Sequence, residues 1–109
     1  MKYLIVMTTF PDRKSADRTC RVLVEKKLAA CCQIVPGVRS IYHWKGRIEE
    51  NDEFLCLMKT TKSKFSALKR MIEKHHPYEV PEITAVGIAE MNTAYESWMN
   101  GILGKPKKK

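Results

Sequence analysis

Apolar residues crowd the first part of the chain, where Tyr3, Leu4, Ile5, Val6 and Met7 follow one another without a polar break. A continuous β-rich run of this kind suits a central strand buried on both faces. Pro11 and Asp12 end it, and Asp12 is placed to cap a helix. Ala16, Cys20, Leu23 and Val24 then recur at i, i+4, i+7 and i+8, with Leu28 just beyond. That is the stripe of an amphipathic helix. Strand periodicity returns from Ala29 to Trp44, interrupted by Pro36-Gly37, which predicts a bulge or bend. Past it Val38, Ser40, Tyr42 and Trp44 share one face, while Arg39, Ile41 and His43 share the other. Lys45-Gly46 predicts a tight turn into a returning strand, Arg47 to Thr60. This strand is apolar from Phe54 to Met58 and polar from Glu49 to Glu53, nearer the tip.

The second half repeats the alternation. Ser63 is placed to cap a helix whose apolar stripe is Phe65, Leu68, Met71 and Ile72. Pro77 ends that helix, and residues 75–82 form a stiff, irregular connection. Ile83 to Ala89 reads as a fourth strand. Thr93 to Glu96 has the spacing of a capping box. Tyr95, Trp98, Met99 and Ile102 then mark a third helix, closed by Gly104 and Pro106. The order β-α-β-β-α-β with an added C-terminal helix predicts an α+β, ferredoxin-like domain over residues 1–104, followed by a basic tail at 105–109. Two helices would cover one face of a four-stranded antiparallel sheet.

The central hairpin is long for so small a domain. Arms of roughly fourteen residues would span ~45 Å. A compact chain of this size is only ~34 Å across. The tip, with Tyr42 and Trp44 on one face, should therefore project and invite pairing with further copies. The uncovered sheet face strengthens that expectation of self-association.

Composition changes the picture little. The 109 residues suit one domain, and 44% hydrophobic with 29% charged content reads as globular. The net charge of +8 invites a nucleic-acid reading, but Lys105, Lys107, Lys108 and Lys109 supply half of it. The strand Phe54-Leu55-Cys56-Leu57-Met58 also lacks the paired aromatics of an RNA-binding sheet. No nucleic-acid partner is expected. No run is apolar enough to span a membrane, and Met1 to Phe10 does not have the form of an export signal, so a cytoplasmic location is expected. Cys20, Cys31, Cys32 and Cys56 are then expected to be reduced, with Cys31 and Cys32 on opposite faces of a strand.

Two groups of residues carry candidate chemistry. His75 and His76 offer imidazoles to copper or another divalent cation, with Glu79, Glu82 and His43 as possible further donors. No HExxH or CxxC spacing supports a preformed metal centre. Trp44, Lys59, Tyr78 and Glu82 could line a cleft for a small anionic ligand, or form a structural ion pair with an aromatic lid at a subunit junction. No nucleophile elbow and no glycine-rich phosphate loop is present, so no catalysis and no required cofactor are expected.

Several segments are familiar. Lys27-Leu28-Ala29-Ala30-Cys31-Cys32, then residues 36–46 from Pro36 to Gly46, Lys59-Thr60-Thr61, and above all His76-Pro77-Tyr78-Glu79-Val80-Pro81-Glu82-Ile83 closely resemble the CutA family of divalent-cation tolerance proteins. Tyr95-x-x-Trp98 completes the pattern. The resemblance implies a cytoplasmic homotrimer of ferredoxin-like domains whose hairpins clasp neighbouring copies, linked to tolerance of copper and other divalent metals. It also implies an architecture similar to PII-type signal proteins, which hold small ligands between subunits. His75 and His76 match the histidine pair implicated in copper binding in some members. The cysteine that those members add from the first strand is replaced here by Thr8.

Overall fold

The computed structural model describes residues 2–105. Four strands and three helices follow in the expected order: β1 Tyr3–Phe10, α1 Arg13–Glu25, β2 Cys31–Trp44, β3 Arg47–Thr61, α2 Phe65–His75, β4 Thr84–Gly87 and α3 Thr93–Leu103. The sheet runs β2-β3-β1-β4 and every pairing is antiparallel. This is the ferredoxin-like α+β arrangement. Lys105 is the last described residue, so the rest of the basic tail lies outside the described residues.

Strand alternation sends two sets of side chains to opposite faces of the sheet. Val6 and Phe10 from β1, Cys56 and Met58 from β3, and Cys32 from β2 pack against α1 and α2. Leu23, Leu68 and Ile72 come down from the helices and are fully buried. On the other face α3 brings Met99 and Leu103 against Ala30 and Tyr3, covering one end of the sheet. Between these patches Ile5, Met7, Leu55 and Leu57 remain only partly buried.

Local chemistry explains the boundaries. The Asp12 Oδ1 accepts from the Ser15 amide at 2.8 Å and caps α1 as predicted. Val24 falls outside the buried stripe of that helix and is 38% exposed. Ser63 does not cap α2. It sits in a short 3-10 turn, Lys62–Lys64, with its hydroxyl bonded to that of Thr61, and α2 begins without a side-chain cap. The capping box at Thr93 is also absent. Asn92 precedes α3, and the Glu96 carboxylate instead accepts from the Tyr3 hydroxyl at 2.9 Å, pinning α3 to β1. The buried face of α3 uses Leu103, whereas Trp98 is 45% exposed. The fourth strand is shorter than its apolar run, because only Thr84 to Gly87 find partners on β1.

Pro36-Gly37 is a bulge: the β2–β3 register slips between Val35 and Val38. Gly37 takes φ +73°, a left-handed conformation that glycine adopts without steric cost. Beyond it the hairpin continues to Lys45 and Gly46, which both have positive φ as a tight two-residue turn requires. The molecule is elongated, 44 × 25 × 23 Å, with a radius of gyration of 14.6 Å against ~13 Å for a compact chain of this size. The hairpin therefore extends the body, as its strand lengths predict.

Candidate functional site

The loop after α2 is fixed to the sheet by one imidazole. His76 stacks on Phe10, with ring centroids 4.3 Å apart at 18°. Its Nδ1 accepts from the Tyr78 amide at 3.0 Å, so the ring proton lies on Nε2, which donates to the Thr9 carbonyl at 2.7 Å. Burial pulls its pKa below the usual histidine value, against the opposing pull of the Thr9 carbonyl and Glu53. Both nitrogens are engaged by backbone, which makes His76 the pin of the loop. His75 ends α2 and is half-buried.

The pinned loop forms one wall of a cleft. Tyr78 reaches across to β3, where its hydroxyl donates to the Glu53 carboxylate. Burial, and then that carboxylate, pushes the Tyr78 hydroxyl pKa well up, so it remains a donor. The cavity between loop and hairpin measures about 630 Å³. Thr9 and Glu53 form its base, Ser40, Tyr42, His43 and Trp44 its hairpin wall, and residues 78–82 its loop wall. Three carboxylates, Glu53, Glu79 and Glu82, line it, and among the described residues no lysine or arginine does.

The predicted residues are thus partly reunited. Trp44, Tyr78 and Glu82 line one cleft. Lys59 does not belong to it. Its ammonium donates to Gln33 Oε1 at 2.8 Å and approaches the Cys31 sulfur at 3.9 Å and the Tyr95 ring at 5.8 Å. Lys59 pairs with Ile5 on β1 and Cys31 on β2, at the end of the sheet that α3 covers. Within one copy Lys59 and Glu82 do not meet, and Glu82 accepts from the Thr84 hydroxyl at 2.9 Å.

Glu53 was hidden among the polar residues of the hairpin. It reads as solvated, yet it is 4% exposed. Strand parity puts Glu53 on the face of Leu55, Leu57 and Lys59, which the first two helices leave open, so nothing local marks its burial under Tyr78. His43 also lines the cleft, from the hairpin side. Among the described residues no three histidine, cysteine or acidic groups converge to hold a metal ion.

The cysteines follow strand geometry. Cys31 lies within 3.3 Å of the Tyr95 hydroxyl under α3, while Cys32 points into the opposite core, 3.8 Å from the Cys20 carbonyl. All four are free thiols. Burial and the adjoining thiol push the Tyr95 hydroxyl pKa up to about 12. Thr8, where a first-strand cysteine would stand, is fully buried and turned toward the helix-covered core, with its hydroxyl unpartnered. It offers nothing to the cleft.

A ferredoxin-like sheet with an overlong hairpin, a proline-stiffened loop and an acidic aromatic cleft between them defines a small α+β protein. The sequence model described as CutA1 divalent ion tolerance protein matches residues 4–101. The chain belongs to that family. A divalent-cation tolerance protein CutA of Thermus thermophilus is 46% identical over 95 residues, covering 87% of this chain and 92% of the relative. A solved divalent cation tolerance protein, also from Thermus thermophilus, superposes with a TM-score of 0.90 at 44% identity, covering 94% of this chain and 99% of its own. A structure from Archaeoglobus fulgidus, described as a periplasmic divalent cation tolerance protein CutA, gives 0.89 at 32% identity, covering 93% and 98%. No helix among the described residues is long and apolar enough to cross a membrane.

Proposed function

We propose that this protein is a non-enzymatic, cytoplasmic homotrimer that serves in tolerance of divalent cations, copper among them, by holding a divalent ion on the face of the loop–hairpin cleft. The observation that carries this reading is the sign of the cleft. Among the described residues three carboxylates and His43 line it and no lysine or arginine does, in a chain of net charge +8. A field of that sign concentrates cations and repels anions. The family to which the chain belongs, that of divalent ion tolerance proteins, supports the same reading.

The candidate donors are His75, Glu79 and Glu82, with His43 from the hairpin. The single copy brings no three of them together, so a divalent ion here takes donors from more than one copy. Trimerisation draws support from the partly buried apolar strip Ile5, Met7, Leu55 and Leu57 and from the extended hairpin. His76 acts indirectly, by fixing the loop on which the donors stand. The PII-like reading, with a small anion in a cleft between subunits, would need Lys59 from another copy, because within one copy Lys59 lies outside this cleft and bonds to Gln33.

Electron paramagnetic resonance of Cu²⁺-loaded protein tests the proposal. Nitrogen coupling that diminishes in His75→Ala, with the protein still folded, is expected. A spectrum of aqueous Cu²⁺ in the wild-type protein would overturn it.

A further inference from the structure

We infer that the interior of the cleft is a binding site for a small organic cation, an ammonium or guanidinium compound, anchored by the Glu53 carboxylate. This goes beyond the metal reading and stands independently of it.

Within one copy, and among the described residues, the Glu53 carboxylate is buried without a charged partner. It is 4% exposed, and its residue type is almost never so buried unless paired. One oxygen accepts from the Tyr78 hydroxyl. Among the described residues no basic side chain forms an ion pair with it, and no second hydrogen bond reaches it. Burying a carboxylate on one neutral donor is costly, and a bound cation offsets that cost. Glu53 lines the cavity, so its free oxygen has somewhere to find that cation.

The surroundings select the kind of cation. A bare divalent ion needs several converging donors, and the described residues offer no such cluster. The cavity, about 630 Å³, is also far larger than an ion and falls in the range of small-molecule sites. Its walls carry the rings of Tyr42, Trp44 and Tyr78. Aromatic faces attract ammonium and guanidinium groups, and they shelter the carbon skeleton between charges. Glu79 and Glu82 stand exposed on the loop wall, where they suit a second positive group on an extended ligand. A buried carboxylate, three aromatic rings and outer carboxylates together match a compound such as an aliphatic diamine or an alkylguanidine.

The test is calorimetric titration of the full chain with agmatine and with spermidine, using citrate as the anionic control, for wild type, Glu53→Gln and Trp44→Ala. Glu53→Gln keeps the shape and removes the unpartnered charge, so its melting temperature should stay level or rise. Expected is saturable binding of at least one amine and none of citrate. Glu53→Gln should weaken amine binding about tenfold or more, the usual worth of a hydrogen bond to a charged group. Trp44→Ala should weaken it as well. Absence of saturable amine binding to wild type overturns the inference, as does equal binding by wild type and Glu53→Gln. A sharp fall in the melting temperature of ligand-free Glu53→Gln also overturns it, because Glu53 would then already hold a basic side chain of a second copy. Zn²⁺ titrated in parallel separates this outcome from that of the metal reading.

Discussion

His76 and Thr9 are joined by a 2.7 Å hydrogen bond from Nε2 to the backbone carbonyl, which ties the loop after α2 to the end of β1. The link fixes a tautomer, because the other nitrogen accepts from the Tyr78 amide. It also decides where Tyr78 stands, and Tyr78 is the residue that bridges to Glu53 across the floor of the cleft. A single imidazole thus connects the core to the candidate site.

Replacing His76 by alanine strands two backbone groups and removes a ring stacked on Phe10. The expected loss is about 2 to 4 kcal/mol. Denaturant unfolding measures it. His75→Ala, which removes no known backbone bond, should change stability by less than ~1 kcal/mol.

The same residue gives the protein a pH dependence. Burial holds the folded pKa of His76 below its ordinary value of 6.5. Between the two values the unfolded chain binds the proton and the folded chain does not, so stability rises with pH. The contribution is complete above about pH 6.5 and is lost as pH falls through the lowered folded value. Thermal melts between pH 7.5 and 5 should show this fall in wild type and a flatter profile in His76→Ala. An identical profile in both would assign the pH effect to other groups.

Much of this architecture is legible in the chain. The stripe of α2, that of α1 apart from the exposed Val24, the bulge at Pro36-Gly37 and the opposite orientations of Cys31 and Cys32 all follow from period and turn chemistry, and the structure has each of them. The differences share a cause. Local spacing assigns capping roles to Ser63, Thr93 and Glu96, but tertiary partners prevail: Glu96 bonds to Tyr3, 93 residues away. Lys59 and Glu82 both flank apolar strands, yet strand order and register put Lys59 beside Cys31 instead. Glu53 is invisible for the opposite reason, since its burial depends on a loop that returns from a distant part of the sequence.

The hairpin bulge should be sensitive to one methyl group. Gly37 has φ +73° with open space around its α-carbon, so Gly37→Ala meets backbone strain without a clash. The expected cost is about 1 to 2 kcal/mol. Gly101→Ala, inside α3 and equally open, has no positive φ and should be neutral or stabilising by up to ~1 kcal/mol. Chemical denaturation of the two variants compares them directly.

The helix cap offers a cleaner local test. Asp12→Ala removes the acceptor of the Ser15 amide and should lower the melting temperature. Hydrogen bonding also holds the Asp12 carboxyl below its ordinary pKa, so this contribution is present above about pH 4 and is lost as the carboxyl protonates at lower pH. The difference between wild type and Asp12→Ala should therefore shrink in acid.

Cys20 and Cys56 lie inside the core, with 5% and 0% exposure. A thiol reagent added to native protein should leave both unmodified, and modification of all four cysteines should require denaturant. Rapid reaction of four thiols under native conditions would contradict the packing of α1 on the sheet.

A cleft that admits cations and rejects anions is the central claim, and calorimetric titration of reduced, metal-free protein with Cu²⁺ and, separately, with citrate tests it most directly. Saturable binding of Cu²⁺, weakened in His75→Ala and in the pair Glu79→Gln with Glu82→Gln, and no heat with citrate, is the predicted result. Saturable citrate binding together with Cu²⁺ binding unchanged by those substitutions would contradict it.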